Sequence, residues 1–539
     1  MLGIVSACLL AFLPVYVLGE VSSLSGLSWT LKNQNESIVI PGSVPSQAHL
    51  DLLRAGIISE PLLGTNEYDQ RWIVNDNWTY TADLSPLTHG FSGETSHQSQ
   101  KALLVFYGLD TVATITVAGH PVAWVNNQFR QYAYDVTDLI ANPVHGNTNL
   151  TIVFESAYFY GMNVTARPDV EWVPGDVFEY PFIRQWVRKG PAFVPTGIFK
   201  PAYLVTLSES EVASASPVSH PLLVSSNSPI FIEESSLEIS KVGQTPIARP
   251  NEAADWVVNV TLALRSAVAI KSPFITISIP ELKITSPQLS FESLPADTTS
   301  PTFVSVNFKI PDSVPDRWFP HNLGTPKLYN ITTTIHLSKS SSTSFVTQTG
   351  FRTITLVQSP YSQQDIQTRG ITPGDQWHFE INGKAFYSSG TNIIPYDPFY
   401  ARTTSEQLRV WGGGTYQPSD EITGGYDFYT ACDELGIFAW SELIFSDALY
   451  PINGFMLESI EPEVRQNVRR INKHPSNVQW AGGNEIEGIV ISTNQTQANG
   501  THYLDEFVAL FQDFLHDIVS EETNSVGGIY RLLNNKRRA

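Results

Sequence analysis

Residues 477–485, with the sequence NVQWAGGNE, decide the fold of the C-terminal part of this chain. Asn477 to Trp480 predict a short strand, and the two glycines after it lead to Asn484 and Glu485. A strand with this ending places a carboxyl group at its C-terminal tip, where (β/α)8 barrel enzymes keep their catalytic residues. Glu485 is therefore predicted to be catalytic. A helix that starts here, with Asn484 as its cap, is the competing interpretation.

The segments around this strand alternate between strand and helix patterns. Strands are predicted at residues 386–392, 408–411, 437–440 and 477–480, and helices at residues 428–435, 461–473 and 503–522. Such alternation is typical of parallel strands joined by crossover helices. We therefore expect residues 359–539 to form an incomplete (β/α)8 TIM barrel that contains strands one to four only.

The rest of the chain has a β-type pattern. Residues 20–207 contain short strand-forming runs, such as 113–119, separated by glycine, asparagine and proline. This pattern predicts a sandwich or jelly-roll domain. Residues 208–358 start with a serine-rich segment and then hold runs such as 256–262, which predict an immunoglobulin-like β-sandwich. The expected fold class is thus multidomain β plus α/β.

The composition limits the classes of partner. The 539-residue chain carries a net charge of −20, which argues against nucleic acid and anionic membrane surfaces as partners. It also contains 12 Trp, 21 Tyr and 28 Phe. Sugars are neutral and stack on aromatic rings, so this acidic, aromatic-rich composition is compatible with carbohydrate as the ligand.

Residues 1–19 are predicted to be a signal peptide. They form an apolar run that ends at Gly19 in a pattern suited to cleavage, and Pro14 interrupts the run, which argues against a membrane anchor. We therefore expect a secreted, extracellular protein. The mature chain would then hold Cys432 as its one cysteine, which excludes an intrachain disulfide and favours a buried apolar role.

Secretion would make the Asn-x-Ser/Thr tripeptides of the chain credible glycosylation sites. Without secretion the same tripeptides carry no information. They lie at Asn35, Asn77, Asn149, Asn163, Asn259, Asn330, Asn494 and Asn499.

Six short motifs resemble glycoside hydrolase family 2, and within it the secreted fungal-type β-mannosidases, in both order and spacing. They lie at residues 45–53, 108–113, 195–201, 409–414, 432–437 and 484–485. The resemblance extends from about residue 27 to about residue 524. It implies a jelly-roll sugar-binding domain, an immunoglobulin-like domain and a (β/α)8 barrel.

The resemblance also implies a reaction. It indicates an exo-β-mannosidase that hydrolyses terminal non-reducing β-D-mannose residues with retention, acts on β-mannoside oligosaccharides derived from mannan, and needs no metal or cofactor. A homodimer is among the oligomeric states left open. Two other functions stay open as well: a non-catalytic carbohydrate-binding relic that has lost the barrel, and a family 2 glycosidase for a β-galactoside or β-glucuronide.

Three residues match site residues of that family. Glu485 matches the acid/base, since retaining hydrolysis needs a proton donor to the leaving oxygen that later activates water. Asn484 matches a residue that holds the sugar beside the departing bond. Trp411 matches an aromatic residue of the substrate pocket, with a buried barrel aromatic as the alternative.

Three other carboxyl groups of the same part are candidates beside Glu485. Glu487 is a rival to Glu485, or completes a solvated turn. Glu434 is predicted in the last turn of a helix, with a structural role. Glu442, just after the predicted strand 437–440, is expected near the mouth of the pocket.

The chain departs from the family pattern at three places. The nucleophile, a glutamate that ends the seventh strand, is expected about 90 residues beyond Glu485, after Ala539, so the chain as written is expected to be inactive. A capping box at residues 404–407 should open a helix, yet the predicted strand 408–411 follows at once. A loop that relatives carry near residues 187–193 is missing. We expect a faulty gene prediction rather than a degenerate copy.

Overall fold

The computed structural model describes the following residues: 21–88, 100–169, 193–208, 228–245, 248–392, 397–404, 406–407, 428–446, 448–496 and 500–527. They form a β-rich, multidomain fold. The expected signal peptide, Trp411, Asn499 and the predicted strand 408–411 lie outside the described residues, as do 187–192 and the tail after residue 527.

Among the described residues, ten strands build the first domain. They are β1 (Val21–Ser23), β2 (Trp29–Asn33), β3 (Val39–Gly42), β4 (Trp78–Asp83), β5 (Gln100–Phe106), β6 (Ala113–Val117), β7 (His120–Val125), β8 (Tyr132–Asp135), β9 (Asn149–Phe154) and β10 (Ala202–Ser208). They pair into two antiparallel sheets, in the orders β1-β10-β5-β8 and β3-β2-β4-β9-β6-β7. Phe106 of the first sheet and Trp29, Trp78, Tyr80 and Phe154 of the second share one buried core.

Four short helices lie between these strands. They are α1 (Ala48–Arg54), α2 (Asn66–Asp69), α3 (Thr137–Ala141) and α4 (Ala157–Thr165). The hydroxyl group of Ser156 caps α4 by accepting a hydrogen bond from the backbone N–H of Phe159 at 3.3 Å. Ser156 also donates to the carbonyl of Val74 at 2.6 Å, which attaches the start of α4 to the rest of the domain.

The described part of the second domain has eight strands. They are β11 (Ile230–Lys241), β12 (Trp256–Ser266), β13 (Phe274–Ile279), β14 (Ile284–Thr285), β15 (Leu289–Ser290), β16 (Asp297–Ile310), β17 (Tyr329–His336) and β18 (Ser342–Thr349). One sheet has the order β11-β12-β16 and the other β14-β13-β17-β18, with β15 on β13. The predicted run 256–262 is the first part of β12. The sheets share a core that includes Trp256, Ile277 and Phe345.

The third part combines a small antiparallel sheet with a parallel pair. The antiparallel sheet contains β19 (Ile354–Val357), β20 (His378–Ile381) and β21 (Lys384–Phe386), and the parallel pair is β22 (Ala439–Ser446) and β23 (Asn477–Asn484). Its helices are α5 (Gln363–Arg369), α6 (Phe428–Leu435), α7 (Gly454–Ile471), α8 (Ile486–Thr496), α9 (Gly500–Phe507) and α10 (Leu515–Glu522).

Several helices and strands of this part differ in the structure from those predicted from the sequence. The helix predicted at 428–435 coincides with α6, but β22 begins two residues later and ends six residues later than predicted. The strand predicted at 386–392 is wrong, because β21 ends at Phe386 and Tyr387 is 90% exposed. The Ser-Ser-Gly sequence after Tyr387 has no apolar side chains to hold a strand against a core.

The amphipathic helix predicted at 503–522 is present in three pieces. A π-helical stretch, Val508–Phe514, joins α9 to α10. Leu510, Phe511, Leu515 and Ile518 are buried on one face, as the sequence pattern predicts. The apolar pattern of the sequence does not indicate this π-helical stretch.

The capping box predicted at 404–407 forms. Gln407 donates its backbone N–H to the Thr404 hydroxyl at 3.3 Å, and the Gln407 side chain accepts from the Thr404 N–H at 2.8 Å. Glu406 and Gln407 are helical. The capping box therefore opens a helix, as its sequence predicts, and the strand predicted at 408–411 lies outside the described residues.

A closed barrel is not seen in the described part of the chain, where the parallel sheet has the two full strands β22 and β23. Gly527 adds an isolated parallel bridge to Gln479, on β23. None of the described helices is long and apolar enough to cross a membrane.

Candidate active site

The parallel pair β22 and β23 is joined by the crossover helix α7. Asn453 caps α7 by accepting a hydrogen bond from the Met456 N–H at 2.9 Å. The buried stripe of α7 includes Ile460, Val464 and Val468, which belong to the same core as Trp480 on β23. Because the strands are parallel, their carboxyl ends lie at the same edge of the sheet. We call it the carboxyl edge.

Glu485 lies at the carboxyl edge, directly after the last residue of β23. It is exposed, and its backbone has a left-handed φ of 58°. This conformation is costly for a residue with a side chain, and such residues cluster at functional sites. Helix α8 begins at the next residue, Ile486, and the N–H of Ile489 donates to the carbonyl of Glu485 at 3.3 Å.

The structure therefore combines the two interpretations of this segment. Glu485 stands at a strand tip, as predicted, and a helix also starts there. The residue that immediately precedes the helix is Glu485, whereas Asn484 still belongs to the strand.

Close packing explains why residue 483, next to the end of β23, is a glycine. A Cβ atom on this residue would lie 2.4 Å from the carbonyl oxygen of Phe445 and 2.8 Å from Cδ1 of Ile486. Only glycine allows β23, β22 and the first turn of α8 to approach so closely. The glycine thus sets the position of the strand tip that carries Glu485.

Asn484 lies beside Ser446 in the register of the two parallel strands and is half-buried. The chain after Ser446 is held by the buried Tyr450. Its hydroxyl accepts from the Ser446 N–H at 2.9 Å and donates to the Ser446 carbonyl at 3.0 Å. The turn beside Asn484 is therefore anchored.

The other three carboxyl groups lie at different places. Glu487 is exposed in the first turn of α8, where the helix dipole favours a negative charge. Glu434 is exposed in the last turn of α6, before β22 starts, and so lies toward the opposite edge of the sheet. Glu442 was expected just after the strand. It lies instead within β22, opposite Ala481. Its strand extends to Ser446, so Glu442 lies below the carboxyl edge.

Arg352 holds the opposite end of β23, a role that the sequence analysis missed. Its buried guanidinium donates to the carbonyls of Pro475, Asn477 and Ser525 at 3.0, 2.6 and 2.9 Å. Burial lowers the pKa of Arg352 to about 10, so the group stays charged at neutral pH. The guanidinium ties the second domain to the start of β23.

Asp433 fixes the same end of the strand from α6. Its carboxylate lies 2.6 Å from Nδ1 of His474 and accepts from the Ser476 N–H at 2.9 Å. The motif at residues 432–437 contains Asp433, which was the available signal for this role.

The first domain reaches the carboxyl edge through residues that follow α4. The guanidinium of Arg167 lies 4.4 Å from the ring centroid of Phe455, in the first turn of α7. Asn453 donates its side-chain N–H to the carbonyl of Asp169 at 3.0 Å. Because α7 follows β22, its first turn lies at the same edge as Glu485.

The arrangement presents one exposed carboxyl group and one half-buried amide at the end of a buried parallel strand. An exposed carboxyl at that position can donate a proton to a bound ligand and take one from water. Within the described residues, no group of three or more His, Cys, Asp or Glu side chains is placed to hold a metal ion.

Most of the chain is similar in sequence to known proteins. Residues 29–200 match the family described as the glycosyl hydrolase 2 galactose-binding domain-like family. The chain is 36% identical to β-mannosidase A of Emericella nidulans over 538 residues, which cover 94% of this chain and 53% of that protein. It is 34% identical to β-mannosidase A of Aspergillus niger, with 97% and 56% of the two chains covered. The chain thus spans about half the length of these relatives.

Solved structures agree at the level of fold. A β-D-mannosidase from Dictyoglomus thermophilum is similar with a TM-score of 0.68 and 20% identity, over 94% of this chain and 57% of that chain. A β-glucuronidase from Bacteroides uniformis is similar with a TM-score of 0.57 and 15% identity, over 94% and 52%. Residues 29–200 thus match the glycosyl hydrolase 2 galactose-binding domain-like family, and over 94% of its length the chain is similar to a fungal β-mannosidase A.

Proposed function

We propose that this chain has the function of an exo-β-mannosidase of glycoside hydrolase family 2, with Glu485 as the acid/base. One observation carries the proposal: over 94% of its length the chain is related to β-mannosidase A, and within that length Glu485 stands exposed at the tip of a parallel strand. The substrates proposed are β-mannoside oligosaccharides derived from mannan.

In this mechanism Glu485 first donates its proton to the glycosidic oxygen as the mannose departs. It then accepts a proton from the water that releases the sugar with retained configuration. Asn484, the neighbouring residue on the strand, would hold the sugar through its amide, and Trp411 would supply an aromatic wall. Retention needs a second carboxylate about 5 Å from the first. We propose that it comes from residues outside those described.

The finer architecture is proposed on the same basis. The unit β22-α7-β23, together with the parallel bridge of Gly527, supports assignment of residues 359–539 to an incomplete (β/α)8 barrel with strands one to four. Residues 20–207 are assigned to the jelly-roll domain and residues 208–358 to the immunoglobulin-like domain. Residues 1–19 are proposed to direct secretion, which would allow glycosylation of the exposed sequons.

The test is hydrolysis of 4-nitrophenyl β-D-mannoside by the purified protein that the sequenced transcript encodes, and by its Glu485→Gln variant. Glu487→Gln is the matched control, since Glu487 is also exposed and lies two residues away. We expect turnover to fall at least 100-fold in Glu485→Gln and to persist in Glu487→Gln. Turnover that survives in Glu485→Gln would refute the role of this residue. A preference for the β-galactoside or β-glucuronide would refute the proposed substrate.

A second candidate is a carbohydrate-binding protein without turnover. Each of the two β domains has a large buried core of its own, whereas the parallel sheet has two full strands among the described residues. If the protein that the transcript encodes binds mannobiose in calorimetry and shows no hydrolysis, this candidate is favoured and the mannosidase proposal is contradicted.

A further inference from the structure

The first domain has an exposed apolar surface on helix α4 and strand β7. Trp124 on β7 is 48% exposed, and Phe159 and Met162 on α4 are 47% and 43% exposed. We call these three residues the α4 patch. Single exposed apolar residues need no explanation, but several large ones grouped on one surface mark a place where something binds.

The rings beside α4 are held in place. The Trp124 and Tyr160 rings lie 5.9 Å apart between centroids, at an angle of 55°. Asn126 donates its side-chain N–H to the Tyr160 hydroxyl at 3.0 Å. Aromatic rings with polar groups at their edge suit the surface of a sugar, which has apolar C–H faces and a hydroxyl rim.

Asn163 lies within this surface. It follows Phe159 by four residues and Tyr160 by three, so its side chain neighbours both on the helix. It is exposed, and it opens the tripeptide Asn163-Val164-Thr165, which is an acceptor for an N-linked glycan. Within the described residues, its amide makes no hydrogen bond.

Four other acceptor sequences differ from Asn163 in this respect. The amide oxygen of Asn35 accepts from the Asn33 side chain and from the Ser37 N–H, both at 3.0 Å. The amide oxygen of Asn77 accepts from the Ser156 N–H at 2.9 Å, and that of Asn259 accepts from the Ser305 hydroxyl at 3.2 Å. The amide nitrogen of Asn330 donates to Glu281 at 3.0 Å. Asn149 is exposed like Asn163 but lies at the start of β9, outside the α4 patch.

We propose that Asn163 carries an N-linked glycan whose first N-acetylglucosamine units lie on the α4 patch. The proposal rests on the secretion proposed above. The glycan covers Phe159 and Met162 with its apolar face and contacts Trp124 at the side. It therefore removes from water a surface that the bare polypeptide leaves exposed.

Met162 provides a direct readout. The chain has three methionines, of which Met1 lies in the expected signal peptide and Met456 is fully buried. The protein is produced through a secretory host, and occupancy of each sequon is measured by mass spectrometry of glycopeptides. The rate of Met162 oxidation by peroxide is then compared among the glycoprotein, Asn163→Gln and Asn149→Gln. The rate of Met456 serves as the internal standard.

We expect Asn163 to be occupied, and Met162 to oxidise about threefold or more faster in Asn163→Gln than in the glycoprotein, because its sulfur is then open to solvent. Asn149→Gln should leave the Met162 rate unchanged. Enzymatic release of the glycan from the folded glycoprotein should raise the rate in the same way, which removes any dependence on how the variant folds.

Two results would overturn the proposal alone: an occupied Asn163 with an unchanged Met162 rate, or an empty Asn163 beside an occupied Asn149. A chain with no occupied sequon after secretory expression would overturn it together with the proposed secretion. The β-mannosidase proposal is tested separately, by the Glu485 assay.

Discussion

At the scale of the residue, single buried polar groups determine how the candidate site is held. Arg352 is the clearest case, because one guanidinium satisfies three backbone carbonyls on two segments of the third part. A buried carbonyl without a partner costs about 1–3 kcal/mol. The side chain thus stabilises the start of β23, at the other end of the strand that carries Glu485.

Replacement of Arg352 by methionine tests this role. We expect Arg352→Met to lower the free energy of unfolding by on the order of 3 kcal/mol, because the carbonyls lose their donor inside the protein. Arg249→Met is the control, since Arg249 is 58% exposed and pairs with Glu380 at the surface at 2.7 Å. Surface pairs of this kind contribute about 0–1 kcal/mol. Equal effects of the two changes on denaturant unfolding would contradict the assigned role.

At the scale of the element, the end of β23 depends on close approach between backbones. Gly483 lies against the carbonyl of Phe445 on β22, and Gly488, five residues later, lies in α8 with no atom within 4 Å of where its Cβ would be. The two positions thus differ in whether packing requires a glycine. One is required by packing, and the other lowers helix stability without a packing reason.

Alanine at each position separates these causes. Gly483→Ala should destabilise the protein by roughly 2 kcal/mol or more and should also displace Glu485, because β22 must move away. Gly488→Ala should be neutral or should stabilise the protein by about 0.5–1 kcal/mol. Thermal unfolding of both variants measures the difference. A Gly483→Ala variant as stable as the wild type would show that the strands separate without cost.

At the scale of the whole molecule, the first domain and the third part share a buried polar contact. Asn127, after β7, donates its side-chain N–H to Glu463 on α7 at 2.8 Å across 336 residues of sequence. Burial raises the pKa of Glu463 to about 8 from its ordinary value of 4.5, while the bond from Asn127 lowers it in part. The carboxyl group is therefore protonated in the folded protein at neutral pH.

This burial predicts a dependence of stability on pH. The folded protein binds the Glu463 proton more tightly than the unfolded chain does. The contribution of this proton to the free energy of unfolding is therefore complete below about pH 4.5. It is lost as the pH rises to about 8, by at most about 1.4 kcal/mol per pH unit. Glu463→Gln should remove this pH dependence. The variant should therefore be more stable than the wild type at pH 8 and equally stable near pH 5.

Denaturant unfolding of both proteins at pH 5, 6.5 and 8 measures this difference. Asp110 is a second buried carboxyl group, and burial raises its pKa to about 7. It affects the wild type and the variant equally, so the comparison isolates Glu463. The same pH profile in both proteins would mean that Glu463 is already ionised in the folded state.

The sequence by itself determined the features that depend on local patterns. Helix α6 was predicted at its observed bounds, the capping box at 404–407 formed as expected, and Glu485 stands at a strand tip after two glycines. Alternating apolar side chains, turn residues and caps act within a few residues, so a single sequence records them.

Only the tertiary structure decided the rest, because its causes are distant in the chain. The length of β22 depends on its pairing with β23, the three acceptors of Arg352 lie more than 120 residues away, and Glu463 is buried by Asn127 from another domain. The left-handed backbone of Glu485 arises where Gly483 packs against Phe445 and α8 begins. Contacts of this range leave no periodic or turn signal in the sequence, since they exist only after the chain has folded.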